Sequence, residues 1–244
     1  MSSPRFYCPT ILAPGAIVSL PPNAAVHASR SLRLKLGDTA VLFNGDGHDY
    51  DCEFIGFQKN NVTAKIRSVS QNNTESPLCI TLAQAISSGD RMDLTLQKAV
   101  ELGVTAIQPI ASQRSVVKLS GERAEKRREH WQNVVISACE QSGRAVVPQV
   151  APPLSLPAWL ASQPIFAMRL TMSPLAADAL HDLPPPTGSV CLLIGCEGGL
   201  TDDEITMASN NAFRPIKLGR RILRTETAPL AAIAAMQTLW GDFK

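Results

Sequence analysis

Two glycine-containing turns carry the residues best suited to chemistry. The first lies in Val190–Ile205 (VCLLIGCEGGLTDDEI), where an apolar strand runs into Gly195, Cys196, Glu197, Gly198 and Gly199 before a helix opens. Glycines at such a turn let a ligand approach the backbone closely, at the sheet edge where open α/β folds bind ligands. Thr201 followed three residues later by Glu204 forms a capping box that marks the helix start. The run is neither GxGxxG nor a P-loop, because no Gly-Lys-Ser/Thr follows. The second turn lies in Ile216–Ala228 (IKLGRRILRTETA), where Gly219 is followed by Arg220, Arg221 and Arg224. Each guanidinium there can hold a phosphate bidentately.

Other basic residues form less pointed groups. The stretch 114–144 holds Arg114, Lys118, Arg123, Lys126, Arg127, Arg128 and Arg144, much of it on a helix whose Glu122 and Lys126 form an i,i+4 pair, which suits a solvated face. His27, Arg30 and Arg33 recur every third residue, which puts them on one face of an expected helix over 24–34. With Arg5 and Lys35 they could form part of an RNA-binding face.

The elements that must position these residues divide in two. Residues 1–70 read mostly as β, with candidates at 5–8, 16–20, 39–43, 50–57 and 62–69, and turns at Asn44–Gly47 and Lys59–Asn61. Several short strands plus one helix suggest a small barrel. The polar, proline-closed run 71–77 reads as a linker. From 78 to 244, strands expected at 78–86, 104–110, 146–150, 164–168, 190–194 and 215–218 alternate with helices. The clearest helices are 90–102, with Met92, Leu96, Ala99 and Val100 on one face, 122–142, and 227–240, which is apolar nearly all round. This is the pattern of an α/β domain with a parallel sheet covered on both faces.

Composition excludes several classes. Of 244 residues 45% are apolar and 18% charged, which is a globular balance rather than a disordered one. The longest apolar run, Leu230–Met236, is far too short for a membrane span. Prolines 4, 9 and 14 interrupt the N-terminus, and no secretory leader pattern is present. Six cysteines without a CxxC pair, and four scattered histidines, argue against disulfides or a metal site and point to a reducing cytoplasm. The net charge of +2 conceals its layout: residues 151–213 carry six acids against one base, flanked by basic stretches 114–150 and 214–244.

The glycine turn 194–199 and the run 218–228 together resemble the SPOUT class of S-adenosylmethionine-dependent RNA methyltransferases. More narrowly, they are similar to the bacterial 16S ribosomal RNA uridine-N3 methyltransferases, the RsmE family. Further matching stretches are HASRSLRL (27–34), FNGDG (43–47), KAVELG within 93–103, RSVVKLSGERA (114–124), EQSGR (140–144) and RILRTETA (221–228). One departure is Cys196, where the family usually has proline. The resemblance implies an N-terminal PUA-like β-barrel over 1–70 and, over 78–244, a SPOUT α/β domain with a deep trefoil knot. General topology rules would argue against that knot. It also implies a homodimer with shared active sites, acting on 16S rRNA in the small ribosomal subunit, without a metal or a membrane.

The implied reaction places a methyl group on N3 of a uridine, which must first lose its proton. Arg224 is the expected stabiliser of the uracil anion. Glu197 and Glu226 are the candidate bases, although Glu197 also suits holding a loop and Glu226 also suits capping the last helix. Met168, Ile194, Gly195, Glu197, Gly198, Gly199, Leu218, Gly219, Leu223, Arg224 and Thr227 are the expected cofactor contacts, mostly through backbone groups. Arg5, His27, Arg30, Arg33, Arg114, Arg144, Arg220 and Arg221 are the expected RNA contacts. Two alternatives stay open here: a non-catalytic RNA-binding or ribosome-assembly module of the same fold, and a nicotinamide- or nucleotide-dependent doubly wound enzyme. The second lacks the GxGxxG fingerprint and its trailing acid.

Overall fold

A computed structural model describes residues 3–58, 61–117, 120–162 and 164–243. The expected turn centre at Lys59–Asn60 and Lys118 lie outside the described residues. The chain divides into two compact units, one of residues 1–75 with 139–147, the other of 76–138 with 148–244.

The first unit holds β1 (Arg5–Tyr7), β2 (Ile17–Ser19), α1 (Pro22–Val26), β3 (Thr39–Phe43), β4 (His48–Gln58) and β5 (Asn61–Gln71). Its sheet runs β1-β3-β4-β5-β2, with β1 parallel to β3 and the other pairs antiparallel. Alternation sends Tyr50, Cys52 and Phe54 of β4, and Val62, Ala64 and Ile66 of β5, into one core with Phe6 and Leu42. The Asn44–Gly47 turn forms as expected. Gly45 and Gly47 take φ +99° and +85°, and the Asn44 side chain accepts from the Asp46 amide at 3.1 Å.

The helix of this unit differs from the expected 24–34. α1 gives way to a π turn over His27–Ser31, and Arg33 lies beyond it at φ +54°. Ser29 Oγ donates back to the Ala25 carbonyl at 2.7 Å, a local bond that competes with regular helix propagation. His27, Arg30 and Arg33 therefore do not share one helical face.

The second unit holds β6 (Ile80–Ala85), α2 (Asp90–Glu101), β7 (Ala106–Ala111), β8 (Gln149–Val150), β9 (Leu154–Ser155), α4 (Leu156–Ala161), β10 (Met168–Met172), β11 (Val190–Ile194), α5 (Asp202–Asn210), β12 (Arg214–Ile216) and α6 (Thr227–Trp240). The long helix α3 (Gly121–Ser142) starts here, and its last turn is counted with the first unit. All described pairings are parallel, in the order β12-β10-β11-β6-β7-β8, with β9 beside β7. Met92, Leu96, Ala99 and Val100 of α2 are fully buried, as their spacing predicts, and α6 packs on α2 and β11. The fold class is thus α/β with a parallel sheet.

β10 begins where the sequence reading expected that strand to end. Pro164 cannot donate to a ladder, and Arg169 is accommodated within the strand. Its guanidinium donates to the Asn211 and Pro164 carbonyls at 2.8 and 2.6 Å.

Candidate active site

The chain runs outward from β6 through β7 to β8, then crosses to β10 and steps back to β11 beside β6. Such a reversal of strand order opens a crevice at the carboxyl ends of the strands. A cavity of about 460 Å³ lies there. Its walls are the ends of β10 (Met172–Pro174) and β11 (Ile194–Gly199) and the segments 217–219 and 221–225.

The glycine turn is held from several sides. The Gly199 amide donates to the Cys196 carbonyl at 2.8 Å, closing it. A Cβ on Gly195 would sit 2.8–2.9 Å from Gly199 backbone atoms, so glycine is required there by close approach. Thr225 Oγ1 donates to the Gly195 carbonyl at 2.7 Å and accepts from Gln84 Nε2 at 3.2 Å, tying both cavity loops to the end of β6. Arg114 Nη1 donates to the Gly198 and Leu200 carbonyls at 2.8 and 3.1 Å. Beyond the turn, the expected capping box forms between Thr201 and Glu204, and the second Glu204 oxygen accepts from the Gln113 amide at 2.8 Å. Cys196, in the place of proline, is buried with its thiol 3.5 Å from Ser112 Oγ.

Glu197 is held by three donors. Its Oε1 accepts from the Ser88 amide, the Ser88 hydroxyl and Arg91 Nη1 at 2.9, 2.7 and 3.0 Å. Partial burial pushes its carboxyl up, but these donors outweigh that effect and hold it down to about 2. A carboxylate so low and so engaged is a poor proton acceptor at neutral pH, so the geometry favours holding the loop over acting as a base.

The remaining expected contacts fall into place unevenly. Ile194, Gly195, Glu197, Gly198, Gly199, Leu218, Gly219, Leu223 and Arg224 line the cavity, and so does Arg221, which was expected to face RNA. Met168 does not line it. It opens β10, at the opposite end of the strand from the cavity, and the β10 residue at the wall is Met172. Thr227 gives way to Thr225 and Ala228 as the lining residues of that segment. Glu226 stands at the N-cap of α6 without a capping bond from its side chain, because its backbone is already helical there (φ −78°, ψ −27°).

Three expected RNA contacts have other employment. Arg144 is buried and paired through two bonds with Glu75, one of them Nε to Oε1 at 2.9 Å, so it cannot present its charge to RNA. Arg5 is paired with Asp49 at 2.7 and 2.8 Å with little of its side chain exposed. Arg114 is committed to the glycine turn. His27, Arg30, Arg33 and Arg220 are exposed. Thr225, Gln84, Ser88 and Arg91 escaped the sequence reading. The RTET run alone hinted at Thr225, and nothing local marks the other three.

The cavity fits an adenosine-type cofactor, since its lining is mostly apolar side chains and backbone around a turn that admits no Cβ at Gly195. Family models match the chain twice, as an RNA methyltransferase domain over residues 74–237 and as an RNA methyltransferase PUA domain over 20–67. A ribosomal RNA small subunit methyltransferase E from Buchnera aphidicola is 36% identical, covering 98% of this chain and 97% of its own length. This chain belongs to the ribosomal RNA small subunit methyltransferase E family. The Bacillus subtilis member of that family is 32% identical over 88% of this chain and 89% of its own. Among solved structures, the Neisseria gonorrhoeae family member bound to S-adenosylmethionine superposes at TM-score 0.93 with 48% identity. A Legionella pneumophila methyltransferase with bound S-adenosylmethionine superposes at 0.96 with 38% identity, and both cover each chain fully. The N-terminal unit is accordingly PUA-like. Membership in this family removes the nicotinamide-dependent alternative.

Proposed function

We propose that the chain methylates N3 of a uridine in 16S ribosomal RNA, as a cytoplasmic homodimer acting on the small ribosomal subunit. The cavity at the carboxyl ends of β10, β11 and β12 carries this reading. Backbone groups of Ile194, Gly195, Gly199, Leu218 and Leu223 hold the adenosine of S-adenosylmethionine there. When bound, that cofactor supplies a methyl group already activated on a sulfonium. The protein's task is to aim the uracil ring and lower the cost of removing its N3 proton.

Arg224 lines the cavity with its side chain free of hydrogen bonds to other described residues, and it stabilises the uracil anion. With Glu197 engaged by Ser88 and Arg91, Glu226 is the carboxylate left to take the proton. The target base is unpaired or flipped, since N3 is buried in a Watson–Crick pair. Arg220, Arg221 and the exposed basic residues of the N-terminal unit grip phosphates, so RNA binding weakens steeply with salt.

The finer topology belongs to the same reading: residues 1–70 form a PUA-like barrel for RNA, 71–77 a linker, and 78–244 a knotted SPOUT domain. The knotted segments are Met168–Arg169, Gly195–Leu200 and Leu218–Thr227. No observation favours a non-catalytic module, because the glycine turn and Arg224 are both in place.

The test is mass-spectrometric nucleoside analysis of 16S rRNA from a strain lacking this chain. N3-methyluridine should vanish and return with the wild-type chain but not with Arg224→Ala. Its persistence in the deletion strain would refute the assignment.

A further inference from the structure

A second cavity, of about 380 Å³, lies within the N-terminal unit and is lined by Pro22, Ala25, Val26, Ser29, Arg30, Gln58 and Val62. One wall is the junction of α1 with the π turn, the other the end of β4 and the start of β5. The walls are apolar at Pro22, Ala25, Val26 and Val62. Two polar side chains, Arg30 and Gln58, are exposed at it, and neither forms a hydrogen bond or ion pair with another described residue. Ser29 is already bonded to the Ala25 carbonyl.

Three features of the chain at and just beyond this wall bear on its use. π turns are rare and concentrate at functional sites, and this one presents Arg30 at the cavity. Arg33, two residues past the turn, holds a left-handed backbone (φ +54°) that few non-glycine residues adopt. Residues 22–37 carry Arg30, Arg33 and Lys35 and no acid, so this stretch of chain is one-sided in charge.

We propose that this cavity receives one unstacked nucleobase of the RNA, an inference that rests on the RNA-modifying function above. An apolar slot accepts the ring, the planar Arg30 guanidinium stacks on it or holds its phosphate, and the Gln58 amide reads its Watson–Crick edge. An amide offers both donors and an acceptor, so the slot suits a base rather than a bare phosphate. Every lining residue falls within the span 20–67 that matches an RNA methyltransferase PUA domain. The site would anchor RNA at a point separate from the methylated uridine.

The test uses the full chain and two fluorescein-labelled probes. One is a ten-nucleotide single-stranded RNA of mixed sequence, the other the same ribose-phosphate chain made abasic. Ser29→Trp plugs the cavity from an exposed position without touching its charges, and Gln58→Ala serves as a second variant at an exposed strand end. Both should lose about ten-fold or more in affinity for the RNA, the scale of one stacked base, and nothing for the abasic probe. Arg30→Gln should weaken both probes and flatten the salt dependence by about one phosphate contact. Unchanged thermal melting and S-adenosylmethionine titration verify that each variant is folded. If wild type binds the RNA and the plugged variant binds it equally well, the cavity assignment fails and the methyltransferase reading stands. If wild type binds the RNA no better than the abasic chain, base capture at this cavity is overturned. If it binds neither probe, the cavity inference is overturned and the RNA role of the N-terminal unit fails with it.

Discussion

The Thr225 hydroxyl donates to the Gly195 carbonyl at 2.7 Å, joining two loops that leave different strands of the sheet. Because Gln84 Nε2 donates to the same hydroxyl, the Thr225 proton has one direction to go. Thr225→Val keeps the shape and removes both bonds, leaving the Gly195 carbonyl without this donor and Gln84 Nε2 with the Ala85 carbonyl alone. S-adenosylmethionine affinity should fall about ten-fold by calorimetry, the worth of one net hydrogen bond, while Thr225→Ser retains it.

Arg224→Ala should abolish methyl transfer while leaving cofactor affinity within a few-fold. The guanidinium is asked to act on charge that develops only as the uracil loses its proton. Single-turnover methylation with a radiolabelled methyl donor reads the first quantity and calorimetry the second. Normal turnover would remove Arg224 from the mechanism.

Gly195→Ala should prevent cofactor binding, because its Cβ would meet Gly199 backbone at under 3 Å and spread the turn. Gly199→Val should do the same through backbone strain, since Gly199 holds φ +70° with open space around it. Unchanged affinity in both variants would place the cofactor elsewhere.

Glu197→Gln tests the loop anchor through pH. A carboxyl held at about 2 contributes stability that is fully present above its unfolded value near 4.5 and is lost as pH falls from there through about 2. Between pH 5 and 9 the wild-type carboxylate therefore stays ionised. The variant should raise the cofactor KM by a constant factor across that range, with the kcat profile keeping its shape. A vanished limb in that profile would instead mark Glu197 as the base.

Arg144→Ala should destabilise the protein by about 3 kcal/mol in chemical denaturation, since it strands Glu75 beside a buried gap. RNA affinity of the folded protein should change little. A large loss of affinity with intact stability would return Arg144 to the RNA surface.

Much of the local structure was legible in the chain itself. The period of Met92, Leu96, Ala99 and Val100 marked α2, the Thr201–Glu204 capping box marked α5, and Asn44–Gly47 marked a hairpin turn. Each is decided by neighbours a few residues apart, so short-range sterics and hydrogen bonding suffice. The glycine turn and the arginine run, singled out by residue type alone, line one cavity, and the motifs sufficed for the family.

Tertiary structure decided which of those charges are free to act. Glu197 and Arg224 look equally available in the sequence, yet Ser88, 109 positions away, takes up the carboxylate, while Arg224 stays uncommitted at the cavity. Arg144 and Arg114 are basic in any composition count, but Glu75 and the carbonyls of residues 198 and 200 absorb them. The start of β10 and the π turn after α1 were likewise hidden. The first depended in part on the Asn211 carbonyl, 42 positions from the Arg169 guanidinium it accepts from, the second on one serine bond competing with the helix ladder. A sequence records how much charge and how many donors a protein has. Only the folded chain determines which partners they meet, because those partners are separated by tens of residues and are brought together by burial of the sheet between them.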